Sequence, residues 1–220
     1  MVTSNANDPH AGQPVKTMGP APEKAAGVLI MIHGRGASAD SILSLYPELD
    51  VPNFAAIAPE AAGHTWYPHS FLAPLAMNQP FVDSALSRIE SLVADLLSRG
   101  IPANRIALLG FSQGGCLSSE FAARHPRRYG AILALTGGLI GPPGTPRQYS
   151  GSLEGVPVFL GTSDPDPHVP VERVEETAAV LTQMGALVTF RSYPGMPHTV
   201  NEEELSICRE MLVKIPGETR

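Results

Sequence analysis

The sequence has little cysteine, no basic clusters and no long apolar run. Its 220 residues include two cysteines, Cys116 and Cys208, which are too few for a disulfide framework. Free thiols are typical of a reducing compartment, so we expect a cytoplasmic protein. The net charge of -6 without a Lys/Arg block argues against nucleic acid as a partner. No stretch approaches the roughly 20 apolar residues of a membrane span, and the polar N-terminus does not resemble a secretory signal.

Enough apolar sequence is present to fill one sizeable core. Hydrophobic residues make up 43% of the chain and charged residues 16%, which argues against disorder. Residues 1–25 are rich in Pro, Gly, Asn and Ala, and we predict a flexible tail there with a short edge strand near 15–18. One domain is expected over 26–215, and residues 216–220 are expected to form a second loose tail.

Strand and helix patterns alternate along the expected domain. Apolar runs predict strands over 28–32, 54–58, 106–109, 131–135, 156–160 and 187–191. Helical spacing predicts helices over 80–98, 171–184 and 202–214, and another directly after Ser112. This alternation predicts an α/β fold with a mostly parallel central sheet and helices on both faces. The connections leave little room for a large cap domain, and functional loops should follow the carboxyl ends of the strands.

The stretch GFSQGG, residues 110–115, connects a predicted strand directly to a predicted helix. It fits the pattern G-x-S-x-G, in which a serine occupies a sharp turn and small neighbours let the chain pass closely. Ser112 is therefore a candidate nucleophile. The backbone N–H of Gln113, the next residue, would point at an oxyanion formed there. A glycine-rich turn with a solvated serine is the alternative.

A serine hydroxyl needs a base, and we choose His198 from the seven histidines. It lies in the loop YPGMPHTV between the last predicted strand and the last predicted helix. The acid that orients it should come from the loop GTSDPDPHVP, which offers two aspartates. We prefer Asp164, counted from the strand end, and keep Asp166 as the alternative. A metal site formed by these aspartates and His168 is a weaker interpretation, because no fourth ligand is evident.

Two further loops follow predicted strands and complete the candidate site. HGRGAS, residues 33–38, leaves a flexible backbone at Gly34 and Gly36, which we expect to line the substrate pocket. The N–H of Arg35 is a candidate second oxyanion donor. In HTWYPHSF, residues 64–71, Trp66 and Tyr67 are candidate walls of the substrate pocket, or else core aromatics.

These motifs together resemble the phospholipase/carboxylesterase family, the acyl-protein thioesterase-like group of α/β-hydrolases. The resemblance extends over about 27–214 and is most specific at GFSQGG. Three places depart from the family pattern: Leu160-Gly161 replaces His-Gly, the acid loop is two residues longer, and Thr136-Gly137-Gly138 replaces Ser-Gly. The chain is similar to a bacterial branch of small esterases, and no protein substrate is carried over.

The resemblance implies hydrolysis of carboxylic esters or thioesters through an acyl-enzyme, with no cofactor. Ser112, His198 and an aspartate would form the triad, and Arg35 and Gln113 would supply the oxyanion hole. We expect a small ester with a short acyl chain or a compact shape as the partner, and a homodimer is left open. The alternatives are a lysophospholipase or acyl-protein thioesterase, a hydrolase of lactones, dienelactones or peptides, and a non-catalytic ligand-binding protein on the same scaffold.

Overall fold

One sheet joins the strands of the described chain, residues 8–216, in a computed structural model. The strands are β1 (Val15–Met18), β2 (Gly27–Ile32), β3 (Phe54–Pro59), β4 (Ile106–Phe111), β5 (Ala131–Leu135), β6 (Pro157–Asp164) and β7 (Leu187–Pro194). Their order across the sheet is β1-β3-β2-β4-β5-β6-β7. All neighbours pair in parallel except β1, which runs antiparallel to β3 at the edge. The predicted mostly parallel sheet is confirmed.

Helices cover the two faces of the sheet and create two apolar cores. The helices are α1 (Ala39–Leu43), α2 (Leu45–Leu49), α3 (Phe81–Ser98), α4 (Gln113–Arg124), α5 (Val171–Gln183) and α6 (Glu202–Leu212). The side chains of successive β2 residues point to opposite faces of the sheet, since side chains alternate along a strand. Val28 packs in the core with α3, α4 and α5, whereas Leu29 packs in the core with α1, α2 and α6. A strand covered on both faces explains the continuous apolar run in the sequence.

The predicted strands are all present, and the main differences lie at their ends and in the short helices. β6 and β7 each extend to eight residues, because polar and small residues continue the pairing as far as Asp164 and Pro194. α1 and α2 were not predicted, and each has only five residues. The last helix begins as expected, with Asn201 accepting a hydrogen bond from the N–H of Glu204.

The expected N-terminal tail is corrected for its described part. The predicted edge strand is confirmed as β1, and His10, before it, is fully buried. The His10 N–H donates to Ser84 Oγ at the start of α3. The folded domain therefore begins nearer to residue 8 than to residue 26. The polar composition of residues 1–25 gave no sign that His10 is buried. Residues 1–7 and 217–220 lie outside the described residues, so the expected tails are untested there.

Among the described residues, no helix combines the length and hydropathy that a membrane span requires. Both cysteines are free and buried in the described structure.

Candidate active site

Ser112 lies at the turn between β4 and α4 with unusual backbone angles, φ 56° and ψ -116°. This left-handed conformation is strained for a residue with a side chain, and it is the geometry of a nucleophile elbow. Two glycines make the turn possible. A Cβ on Gly110 would lie 2.1 Å from the carbonyl oxygen of Gly114, and one on Gly114 would lie 1.9 Å from that of Ile32. The glycines of the motif are therefore required by close backbone packing.

Ser112, His198 and Asp166 form a continuous chain of hydrogen bonds. His198 Nε2 lies 2.9 Å from Ser112 Oγ, and His198 Nδ1 lies 2.7 Å from Asp166 Oδ2. An ionised carboxylate only accepts, so Nδ1 carries the proton and donates it to Asp166. Nε2 is then unprotonated and accepts the hydrogen bond from Ser112. This is the tautomer that a general base needs.

The choice of Asp164 is corrected by this geometry. Because β6 continues to Asp164, which is paired in register with Pro194, this residue belongs to the end of the sheet rather than to the loop. Asp166 lies two residues further along and reaches His198. Its other oxygen, Oδ1, accepts from the N–H groups of His168 and Val169, each at 2.8 Å. The carboxylate thus orients the imidazole and also caps its own loop.

Asp166 is held ionised by its surroundings. Its side chain is completely buried, and burial alone would raise the pKa of the carboxyl. Hydrogen bonds from Ser163 Oγ at 2.5 Å, from His198 and from the two loop N–H groups outweigh that effect and lower its pKa below the ordinary value. With both oxygens used in this way, Asp166 has little capacity left as a metal ligand. Among the described residues, no group of three or more His, Cys, Asp or Glu side chains could hold a metal ion.

The two predicted oxyanion donors flank Ser112. Gln113 is the first residue of α4, and Arg35 follows β2 next to Gly34, where a Cβ would lie 3.4 Å from the Cβ of Ser112. In the described structure neither backbone N–H has an intramolecular acceptor, although the neighbouring N–H groups of Gly36 and Ala37 do. Two unpaired N–H groups beside the serine are what an oxyanion hole requires.

A pocket of about 560 Å³ opens at Ser112, within the size range of small-molecule sites. The buried apolar side chains of its wall are Tyr67, Phe71, Cys116 and Val169. Burial raises the pKa of the Cys116 thiol to about 11, so this wall offers no thiolate. Gly34 and Tyr67 line the pocket as predicted.

Trp66 and Gly36 do not line this pocket. Gly36 forms the outer turn of its loop with φ 72°, and its N–H donates to His64. Trp66 is fully buried and makes hydrogen bonds to two other segments of the site. Its N–H donates to the side chain of Gln113 at 2.8 Å, and its indole N–H donates to the His33 carbonyl at 3.0 Å. Trp66 therefore connects the serine turn to the loop of Arg35.

Two buried histidines, His10 and His33, form hydrogen bonds with the backbone around Trp66 and Gly34. Neither role was predicted from the sequence. His10 Nε2 lies 2.9 Å from the Trp66 carbonyl, and His10 Nδ1 accepts from the N–H of Ala62 at 3.1 Å. His33 Nε2 accepts from the N–H of Ala61 at 3.1 Å, so its Nδ1 donates to the Gly34 carbonyl at 2.7 Å. Burial lowers the pKa of each histidine, which favours the neutral forms that these bonds require.

A family model described as phospholipase/carboxylesterase matches residues 16–215, which includes Ser112, Asp166 and His198 and both candidate oxyanion donors. The chain belongs to the phospholipase/carboxylesterase family. The resemblance inferred from the motifs is confirmed, and so is the α/β-hydrolase fold. A crystal structure of a family member from Dyadobacter fermentans is 42% identical, with a TM-score of 0.89 over 92% of this chain and 97% of that one.

Curated relatives of this phospholipase/carboxylesterase family member share shorter regions. Acyl-protein thioesterase 1 of Gibberella zeae is 32% identical over 133 residues, covering 56% of this chain and 54% of that protein. A probable carboxylesterase SOBER1-like of Arabidopsis thaliana is 24% identical over 164 residues, covering 73% and 60%. The matches thus span only about half to three fifths of these relatives' lengths.

Proposed function

We propose that this protein is a serine carboxylesterase that hydrolyses short-chain or compact carboxylic esters through an acyl-enzyme. The observation that carries the proposal is the hydrogen-bonded chain Ser112–His198–Asp166, of which Ser112 and His198 line an open pocket. Membership of the family and the names of the relatives support the same class of reaction. A non-catalytic role on the same scaffold is disfavoured, because such a role does not require hydrogen bonds that link a serine, a histidine and an aspartate.

The reaction follows from the protonation states in the site. Ser112 Oγ attacks the ester carbonyl while its proton moves to His198 Nε2. The buried carboxylate of Asp166 stabilises the imidazolium that forms, and the N–H groups of Arg35 and Gln113 stabilise the negative oxygen. Collapse of this intermediate expels the alcohol, which takes the proton from His198. Water then attacks the acyl-enzyme by the same route, releasing the acid and restoring Ser112.

The pocket supports compact substrates. Its buried wall is closed by the side chains of Tyr67, Phe71 and Val169. The main chain supports this wall, since the N–H of Gly141 donates to the carbonyl of Phe71 at 2.7 Å. A long acyl chain would have to leave along the protein surface. We therefore expect p-nitrophenyl butyrate to be hydrolysed with a higher kcat/KM than p-nitrophenyl palmitate.

Thioesters are the second candidate substrates, because a curated relative is named acyl-protein thioesterase. A lysophospholipase or a protein-directed thioesterase would need to hold a long acyl chain, for which the closed wall gives no support. A short acyl-thioester would fit the same pocket and use the same triad.

The test compares Ser112→Ala with the unchanged protein on p-nitrophenyl butyrate. The variant should lose at least about 10³-fold in kcat, because removing a triad member leaves only the oxyanion hole and binding. Ser118→Ala is a control at a nearby serine: Ser118 is buried on α4, and its hydroxyl donates to the carbonyl of Gly114 rather than to a histidine. Equal turnover by Ser112→Ala and the unchanged protein would refute the proposal.

A further inference from the structure

The side chain of Arg35 has a role to consider that is separate from that of its backbone N–H, because it places a guanidinium at the pocket. The guanidinium is exposed at the mouth of the pocket but is held in a defined position. Nη1 donates to the Pro68 carbonyl at 2.8 Å, and Nη2 donates to the His69 carbonyl at 2.5 Å. The group also lies 5.8 Å from the centre of the Tyr67 ring. Little side-chain entropy remains to be lost when a ligand binds to it.

The guanidinium keeps most of its capacity for a ligand. It has five N–H donors, and the two carbonyls occupy two of them. It makes no ion pair with a carboxylate of the described chain, whereas the half-buried Arg147 and the buried Arg173 both pair with Glu176. Among the described residues, no carboxylate therefore neutralises its positive charge by direct pairing.

The charge pattern of the pocket contrasts with that of the whole chain. The protein carries a net charge of -6, but none of the described residues that line the pocket is Asp or Glu. The buried carboxylate of Asp166 lies behind His198 and is not part of the lining. Arg35 is the one lining residue of the described chain with a permanent charge. A lining whose one permanent charge is positive favours anionic ligands over neutral ones.

From these observations we infer that the site prefers esters that carry a carboxylate, with the Arg35 side chain as the residue that determines this specificity. This inference rests on the proposed esterase function and narrows its substrate class. A planar carboxylate matches the fork of donors on a guanidinium, which a neutral branched alkyl group of the same shape cannot use. The preference should appear in kcat/KM and should weaken as salt screens the exposed charge.

The test uses pairs of esters that are matched in shape and differ in charge. For the acyl side, monoethyl succinate is compared with ethyl 4-methylpentanoate. For the alcohol side, O-acetylglycolate is compared with isobutyl acetate. Acid release is measured in a pH-stat for the unchanged protein and for Arg35→Gln, which retains the backbone N–H at this position. Arg128→Gln is the control, because it removes the same charge from an exposed site beside Tyr129, near the amino end of β5.

Arg35→Gln should lower the anionic-to-neutral ratio of kcat/KM by about three- to tenfold in at least one pair, whereas Arg128→Gln should leave both ratios unchanged. Ratios that Arg35→Gln does not alter in either pair would overturn the inference, and so would an equal effect of Arg128→Gln. These outcomes concern ratios, so they are separate from the proposed function. That function fails instead if Ser112→Ala hydrolyses the esters as fast as the unchanged protein.

Discussion

The imidazole of His33 holds the carbonyl of Gly34, with 2.7 Å between Nδ1 and the oxygen. That carbonyl belongs to the same trans peptide unit as the N–H of Arg35, so the two groups point in opposite directions. Fixing one therefore fixes the other. His33 is completely buried and has both ring nitrogens bonded, so it is a positioning residue for the proposed oxyanion hole.

Substitution of His33 should affect kcat more than KM. His33→Leu removes the donor to Gly34, and we expect kcat for p-nitrophenyl butyrate to fall about 10- to 100-fold. His33→Asn is the matched variant, because its amide can occupy the Nδ1 position and donate to the same carbonyl. It should retain more activity than His33→Leu at a similar melting temperature. Equal activity of the two variants would mean that His33 only fills space.

The two aspartates of the acid loop should behave differently. Asp166→Asn keeps an oxygen for the loop N–H groups but cannot hold the imidazolium of His198, so kcat should fall about 10³- to 10⁴-fold. Asp164→Asn, at the end of β6, should change kcat by less than about tenfold. Steady-state assays of both variants decide the assignment. A larger loss in Asp164→Asn than in Asp166→Asn would show that the acid has been misassigned.

Glu204 should make stability depend on pH. Its side chain is buried, Oε2 accepts from the N–H of Asn201 at 3.0 Å, and Oε1 has no partner among the described residues. Burial is the main cause that raises its pKa from 4.5 to about 7. The unfolded chain releases this proton at lower pH than the folded chain does. Stability is therefore lost as pH rises from about 4.5 to about 7.

Glu204→Gln removes that titration and keeps an oxygen for the N–H of Asn201. Its free energy of unfolding should match that of the unchanged protein near pH 4.5 and exceed it above pH 7 by about 1 to 3 kcal/mol. Urea unfolding at several pH values measures the difference. Glu202→Gln, an exposed neighbour in the same helical turn, should show a much smaller dependence. A constant difference across pH would contradict the role of Glu204.

The sequence was most informative where the fold places residues at the carboxyl ends of parallel strands. Ser112, His198 and the Arg35 loop each follow a strand, and the topology brings them together. The proposed acid, Asp166, was harder to predict, because small and polar residues extend β6 to Asp164 and the loop therefore begins later in the chain. The roles of two buried histidines could not be predicted, for a different reason. His10 and His33 act through contacts with distant backbone groups, and neither local pattern nor composition records such contacts.

The most direct test of the account is to identify the residue that reacts with a fluorophosphonate. The reagent phosphonylates a serine whose proton a neighbouring base removes. Mass spectrometry of the labelled protein should show one adduct, on the peptide that contains Ser112, and Ser112→Ala should show none. His198→Ala should label much more slowly, because Ser112 then lacks its base. An adduct on another residue, or unchanged labelling of Ser112→Ala, would contradict the central claim that Ser112 is the nucleophile.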